Sequence, residues 1–252
     1  MSGHSKWSQI KRQKGVSDVK RGQLFTKLGR EISVAARGGG GADPEANFRL
    51  RLAIQKAREA NMPAENVDRA IKRATGGAEG AALEEITYEG YGPGGTAILI
   101  DALTDNRNRT VSEIRSVFTR AGGNLGESGS VSWIFESKGV MTVEPGGKDR
   151  DEVALLAIDA GADDVQVEGE AIEVYTQPQD LEKVRKALDE SGVTVKESEV
   201  VKEPKTTVFL AEKEALQTIR LVERLEELDD VQKVSFNADF EADVAEKLEA
   251  AS

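Results

Sequence analysis

Up to residue 76 the apolar positions keep the 3.6-residue period of an amphipathic helix. Leu24, Phe25, Leu28, Ile32 and Ala35 form one arc and predict a helix capped by Ser17 or Asp18 and running to about Arg37. Gly38-Gly39-Gly40-Gly41 ends it and reads as a flexible joint. Lys20, Lys27, Arg30 and Arg37 fall opposite the arc, whereas Arg21 lies within it, where it is either paired or snorkelling. Asp43-Pro44 reads as a cap with proline at the first helical position. It opens a second helix to about Ala60, with Leu50, Ala53, Ile54 and Ala57 inward. Asn61-Met62-Pro63 interrupts the pattern, and a third helix over about 64–74 turns Val67, Ala70, Ile71 and Ala74 inward before Gly76-Gly77.

Beyond Gly77 the period shortens. Ile86–Glu89 and Thr96–Thr104 read as strands around the glycine-rich turn 90–95. Thr110-Val111-Ser112-Glu113 has the form of a capping box ahead of a helix that turns Val111, Ile114, Val117, Phe118 and Ala121 to one face. Val131–Phe135 reads as the next strand. From Gly139 the order is strand, helix 149–160, strands near 165–167 and 172–175, helix 178–191 and strand 193–201, the βαββαβ order of a ferredoxin-like fold. A strand (206–210), a long helix (212–228) and a strand (231–237) follow, with no partner nearby in sequence.

The simplest account pairs that tail with residues 96–135. The predicted class is therefore α+β and multidomain: a basic helical N-terminal domain, then two ferredoxin-like α+β domains, one inserted in the other. The expected boundaries are 1–76, then 77–137 together with 204–240, with 138–203 inserted. Three domains in simple series is the alternative.

Charge sharpens this division. The 252 residues carry a formal net charge of −11. Residues 1–75 hold sixteen Lys and Arg against seven Asp and Glu, a formal +9, and the rest holds eighteen against thirty-eight, a formal −20. A cationic segment on an acidic body fits a polyanionic partner, because cations near phosphates release condensed counterions and the acidic part orients the molecule. The chain has no cysteine and one histidine, His4. Disulfides, Cys/His zinc sites, iron–sulfur clusters and thiol nucleophiles are excluded, and a Ser-His-Asp triad could use only His4 in its polar segment.

No stretch has the h-region of a secretory signal or approaches the apolar length of a membrane span, so the expected location is cytoplasmic.

Little in the chain suggests catalysis. Gly90-x-Gly92-x-x-Gly95 matches a dinucleotide-binding pattern, but a strand follows it and Pro93 interrupts it, so it reads as a hairpin. Asp101 and Asp105 are a weak magnesium signal, and Asp163-Asp164 and Asp229-Asp230 read as turns without consequence. The expectation is no enzyme activity, no catalytic residue, no metal site, no cofactor and no small-molecule substrate.

The binding candidates lie elsewhere. Lys6, Lys11, Arg12 and Lys14 continue into Lys20, Arg21, Lys27, Arg30 and Arg37, opposed only by Asp18 and Glu31. Trp7 among them either stacks on a base or ribose, or docks its segment on the helices. Arg107 and Arg109, at a helix start, are placed to hold phosphate; the alternative is that Arg109 pairs with Asp105 or Glu113 and shapes the turn.

Several long strings then carry a resemblance. GHSKW at 3–7, KRGQLFTKLGREI at 20–32, NMP at 61–63 and AIKRATGG at 70–77 closely resemble the YebC/PmpR family. So do YEGYGPGG at 88–95, LTDNRNRTVSEIR at 103–115 and GGNLGESGSVSWIF at 122–135. The resemblance implies a helical basic domain, two α+β domains and no catalytic residues.

It also implies nucleic acid as partner, in one of two roles. One is a transcriptional regulator on promoter DNA. The other is a translation factor on ribosomal RNA at the ribosome, as for the mitochondrial translational activator of cytochrome c oxidase and for members tied to stalling at proline-rich stretches. Arg12 stands where the family's string carries histidine, and Phe48 where it carries proline.

Overall fold

A computed structural model of the chain describes residues 18–38, 40–75, 83–168, 171–241 and 244. The chain divides into two compact units, residues 1–134 with 206–252, and residues 135–205.

Three helices open the first unit: α1 (Asp18–Arg37), α2 (Phe48–Glu59) and α3 (Ala64–Thr75). Their apolar stripes meet in one core, in which Ile32, Leu50, Ala53 and Ala57 are fully buried. Here α2 starts later than expected. Residues 44–46 form a turn, and the cap is Asn47, whose carboxamide oxygen accepts from the Leu50 N–H at 3.0 Å. The Asn47 amide also donates to the carbonyls of Ala35 (2.8 Å) and Gly41 (2.7 Å). One buried side chain thus starts α2 and ties it to the end of α1. Gly38, Gly40 and Gly41 thus lie in the connection between two packed helices of the head.

The rest of this unit is a sheet with strand order β3-β1-β2-β9. Its members are β1 (Glu84–Tyr91), β2 (Ala97–Thr104), β3 (Asn124–Leu125) and β9 (Val231–Phe236). β1 and β2 form an antiparallel hairpin pairing Glu84 with Thr104 and Tyr91 with Ala97. β9 lies antiparallel to β2, opposing Ile98 to Phe236 and Ile100 to Val234. Helices α4 (Arg107–Arg120) and α7 (Glu212–Glu226) cover one face, packing Ile114, Phe118, Ile219 and Val222 on Ile98, Ile100 and Phe236. A short parallel pair, β8 (Val208–Phe209) with β10 (Ala238–Asp239), borders them.

Close packing explains Gly90, where a Cβ would lie 2.7 Å from Phe118 Cζ.

Two expectations here are corrected. Residues 132–134 form a 3-10 turn and not a strand, and the next strand begins at Phe135. Helix α4 begins one turn before the supposed capping box, at Arg107, because Asn106 caps it by accepting from the Arg109 N–H at 3.1 Å. Thr110 is therefore inside the helix, and its hydroxyl is free to turn into the core.

The second unit runs β4 (Phe135–Glu144), α5 (Arg150–Ala160), β5 (Asp164–Glu168), β6 (Ala171–Thr176), α6 (Leu181–Glu190) and β7 (Thr194–Pro204). Its antiparallel order β5-β6-β4-β7 is ferredoxin-like. Met141, Val143, Ile172 and Val174 from the strands bury Val153, Ala157, Leu181, Val184 and Leu188 from the helices. Because β9 returns to β2 after this unit, the ferredoxin-like unit is inserted within the first.

Candidate nucleic-acid interface

Lys6, Trp7, Lys11, Arg12 and Lys14 lie outside the described residues, as does the side chain of Lys20 in the first turn of α1. Arg21 and Arg37 are exposed on α1. Arg37 also donates from Nε to the Ala74 carbonyl at 3.4 Å, bridging the ends of α1 and α3.

The other candidates converge on the body of the same unit. Lys27 donates to the carbonyl of Glu226. Arg30 donates from Nη1 to the Asp229 carbonyl at 2.6 Å and to Asp230 Oδ1 at 2.8 Å. Arg107 pairs with Glu84 across an exposed surface. Arg109 donates to Asp105 Oδ1 at 2.8 Å and to Asp230 Oδ2 at 2.7 Å. The structure thus pairs both guanidinium groups internally, Arg107 with Glu84 and Arg109 with Asp105 and Asp230.

Asp230 is the residue that the sequence reading passed over. Its side chain is 3% exposed. Oδ2 also accepts from Thr110 Oγ1 at 2.7 Å and Thr104 Oγ1 at 3.0 Å. Its carbonyl accepts from the Leu103 N–H at 2.8 Å, which holds the loop before β9 against β2. Burial pushes this carboxyl up, but hydrogen bonds from Arg109, Thr110 and Thr104 and the Arg30 charge outweigh burial and hold it below the usual aspartate range. Arg109 is held more firmly in its charged form by the same contacts. A carboxylate with one arginine from the helical head and one from α4 fastens the head to the sheet. Nearby, Tyr88 has its phenol raised, chiefly by burial and further by Asp230, against the lowering effect of Arg107.

A second buried carboxylate, Glu89 on β1, was also missed. It accepts the N–H groups of Gly129 (2.7 Å), Val131 (2.6 Å) and Ser132 (2.8 Å). Burial pushes its pKa up, and these three donors more than reverse that, leaving it lowered. With the Gly126 N–H on the Glu89 carbonyl at 2.7 Å, these bonds tie the loop over 126–132 to β1. Trp133 follows it with 66% of its surface exposed and its indole N–H on the Ser130 carbonyl at 3.1 Å. The signal for Glu89 was a charged residue inside a strand opposite a Gly/Ser-rich loop. For Asp230 it was the Thr104-Asp105…Arg109-Thr110 set, two threonines and a guanidinium that need an anion.

On α3, Arg69, Lys72 and Arg73 are exposed, as is Arg58 on α2. Among the described residues, no group of three or more His, Cys, Asp or Glu could hold a metal ion, and no helix is long and apolar enough to cross a membrane.

The protein is thus an arginine-rich helical head, fastened by ion pairs to an α+β body that carries a ferredoxin-like insertion. Residues 5–77 match the model of the TACO1/YebC protein N-terminal domain, and residues 83–238 that of the TACO1/YebC second and third domain. The chain belongs to the TACO1/YebC family.

It is 60% identical over 252 residues to a "Probable transcriptional regulatory protein" of Moorella thermoacetica, covering 99% of this chain and 100% of that one. It is 58% identical over 247 residues to one of Dehalococcoides mccartyi, covering 98% of each. The crystal structure of a conserved hypothetical protein from Aquifex aeolicus is similar with a TM-score of 0.81 and 48% identity, over 89% of this chain and 92% of that one.

Proposed function

We propose that the protein is a non-enzymatic, nucleic-acid-binding regulator of gene expression that grips DNA through its basic N-terminal helical domain and acts in transcription. The observation that carries this reading is the formal +9 of residues 1–75 in a chain whose remainder is −20. The relatives named as probable transcriptional regulatory proteins support it. A second reading, a ribosome-associated translation factor on RNA, is favoured by the make-up of the head's exposed cations. Arg21, Arg37, Arg58, Arg69, Lys72 and Arg73 suit phosphate and shape rather than base edges.

Neutralising about five to eight phosphates gives a log–log salt dependence of binding with a slope of roughly −4 to −7. A slope near zero removes the electrostatic argument. Competition among promoter duplex, random duplex and ribosomes at matched salt separates the two roles. A promoter preference of about 10³ or more supports transcription, and co-sedimentation with ribosomes without such a preference supports translation.

A further inference from the structure

We infer that the exposed face of α3 bearing Arg69, Lys72 and Arg73, continued by Arg37 at the end of α1, is a phosphate-contact surface of the head. This deepens the nucleic-acid reading and rests on it. Several described cations of the head are already engaged within the protein. Arg30, Arg49 and Lys56 pair with Asp230, Glu85 and Glu31, and Arg51 donates to the carbonyls of Pro44 and Glu45. These hold the molecule together.

The three cations of α3 do not. Each is exposed, and none forms an ion pair among the described residues. This is so although Glu65 and Asp68 stand one turn before Arg69 and Lys72, with the acid on the N-terminal side, the order that favours pairing on a helix.

The helix dipole favours Lys72 and Arg73 in the last turn. It does not account for Arg69, or for a fourth cation at the same end. α1 and α3 run side by side in the same direction: Ser33 Oγ donates to the Ala70 carbonyl at 3.0 Å, and four residues on Arg37 reaches that of Ala74. That contact delivers Arg37 to the last turn of α3. At a rise of 1.5 Å per residue, Arg69 and Arg73 stand about 6 Å apart along the axis. Two planar guanidinium forks at this separation can engage the sugar-phosphate backbone without selecting a base.

The test uses the full chain with Arg69→Gln, Lys72→Gln and Arg73→Gln combined. Random-sequence duplex DNA and ribosomal RNA are the probes, in salt titrations. Loss of three phosphate contacts is expected to make the duplex slope shallower by about 2.7 and to weaken binding by up to about 500-fold at 0.1 M salt. The ratio of promoter to random duplex binding should not change. The Arg69→Lys, Arg73→Lys variant should keep the original slope.

A shift on either probe supports the assignment and identifies the polymer gripped. An unchanged slope on both, with the unmodified protein binding normally, overturns it and leaves the nucleic-acid reading standing. Absence of salt-dependent binding by the unmodified protein overturns that reading itself. Should the triple variant lose its helical circular dichroism, Arg69→Gln and Arg73→Gln are measured singly. Each is then expected to change the duplex slope by about 0.9, and no change in either overturns the assignment.

Discussion

Replacing Asp230 by asparagine tests the junction between head and sheet at almost constant volume. The carboxylate is 3% exposed and receives Arg30 at 2.8 Å, Arg109 at 2.7 Å and the hydroxyls of Thr104 and Thr110. Asparagine has one acceptor oxygen. If that oxygen faces Arg109 and the threonines, its amide points N–H groups at Arg30, and donor opposes donor. Breaking a buried pair by removing one partner costs about 3–5 kcal/mol. Arg30 is 25% and Arg109 43% exposed, so water recovers part of this. The expected loss is therefore about 2–4 kcal/mol at pH 7.

The assay is urea unfolding followed by tryptophan fluorescence, because Trp133 lies in the first unit. The folded carboxyl is held below its unfolded value of about 3.9, so its contribution is complete above about pH 5 and disappears as pH falls through the lowered folded value. The difference between the two proteins should accordingly be flat above about pH 5 and narrow below about pH 4. A loss under about 1 kcal/mol at pH 7, or one that stays constant down to about pH 2, would refute the reasoning.

Glu89→Gln replaces an anion that accepts three backbone N–H groups, so a loss of about 2–3 kcal/mol and faster proteolytic cleavage within 126–132 are expected; unchanged cleavage counts against the clamp. Asn47→Ala removes the cap of α2 and leaves the carbonyls of Ala35 and Gly41 without that donor, which should cost about 1–2 kcal/mol in the same fluorescence-monitored unfolding.

The amphipathic periods of α1 and α3 and the βαββαβ order were legible because one face of each element is apolar and the other solvated. That contrast is written locally. The pairing of Arg109 with Asp105, four residues before it and just ahead of the helix, was one of two alternatives the local sequence offered. What was not legible depended on partners far away in sequence. Asp230 sits in an Asp-Asp turn that resembles any solvated turn, and only the fold brings Arg30, 200 residues away, to it. The start of α2 was misplaced for a related reason. Asp43-Pro44 has the local form of a helix start, and Asp43 does accept from the Glu45 N–H. Asn47, however, satisfies three backbone groups at once, two of them outside α2. The 3-10 turn at 132–134 follows the same logic: the Ser132 N–H that opens it and the Val131 N–H just before it are both held by Glu89, on a strand more than forty residues earlier.

These long-range carboxylates change how the charge of the head should be read. Sequence alone counts every lysine and arginine of residues 1–75 as equally available to a polyanion. In the folded chain a cation already facing a buried carboxylate would leave that anion uncompensated if it turned to phosphate, and low dielectric makes such an exchange unfavourable. Arg30 is in that position with Asp230, so its contribution to binding is geometric: it holds the head at a fixed place on the sheet. Exposed cations without ion pairs release only solvent and counterions when they meet phosphate, and their number, not the formal +9, sets the salt slope. It follows that Arg30→Gln should reduce stability while leaving the slope per bound molecule nearly unchanged, whereas changes on α3 should do the reverse. The two classes of arginine are separable by that pair of measurements even though they sit on adjacent helices of one small core.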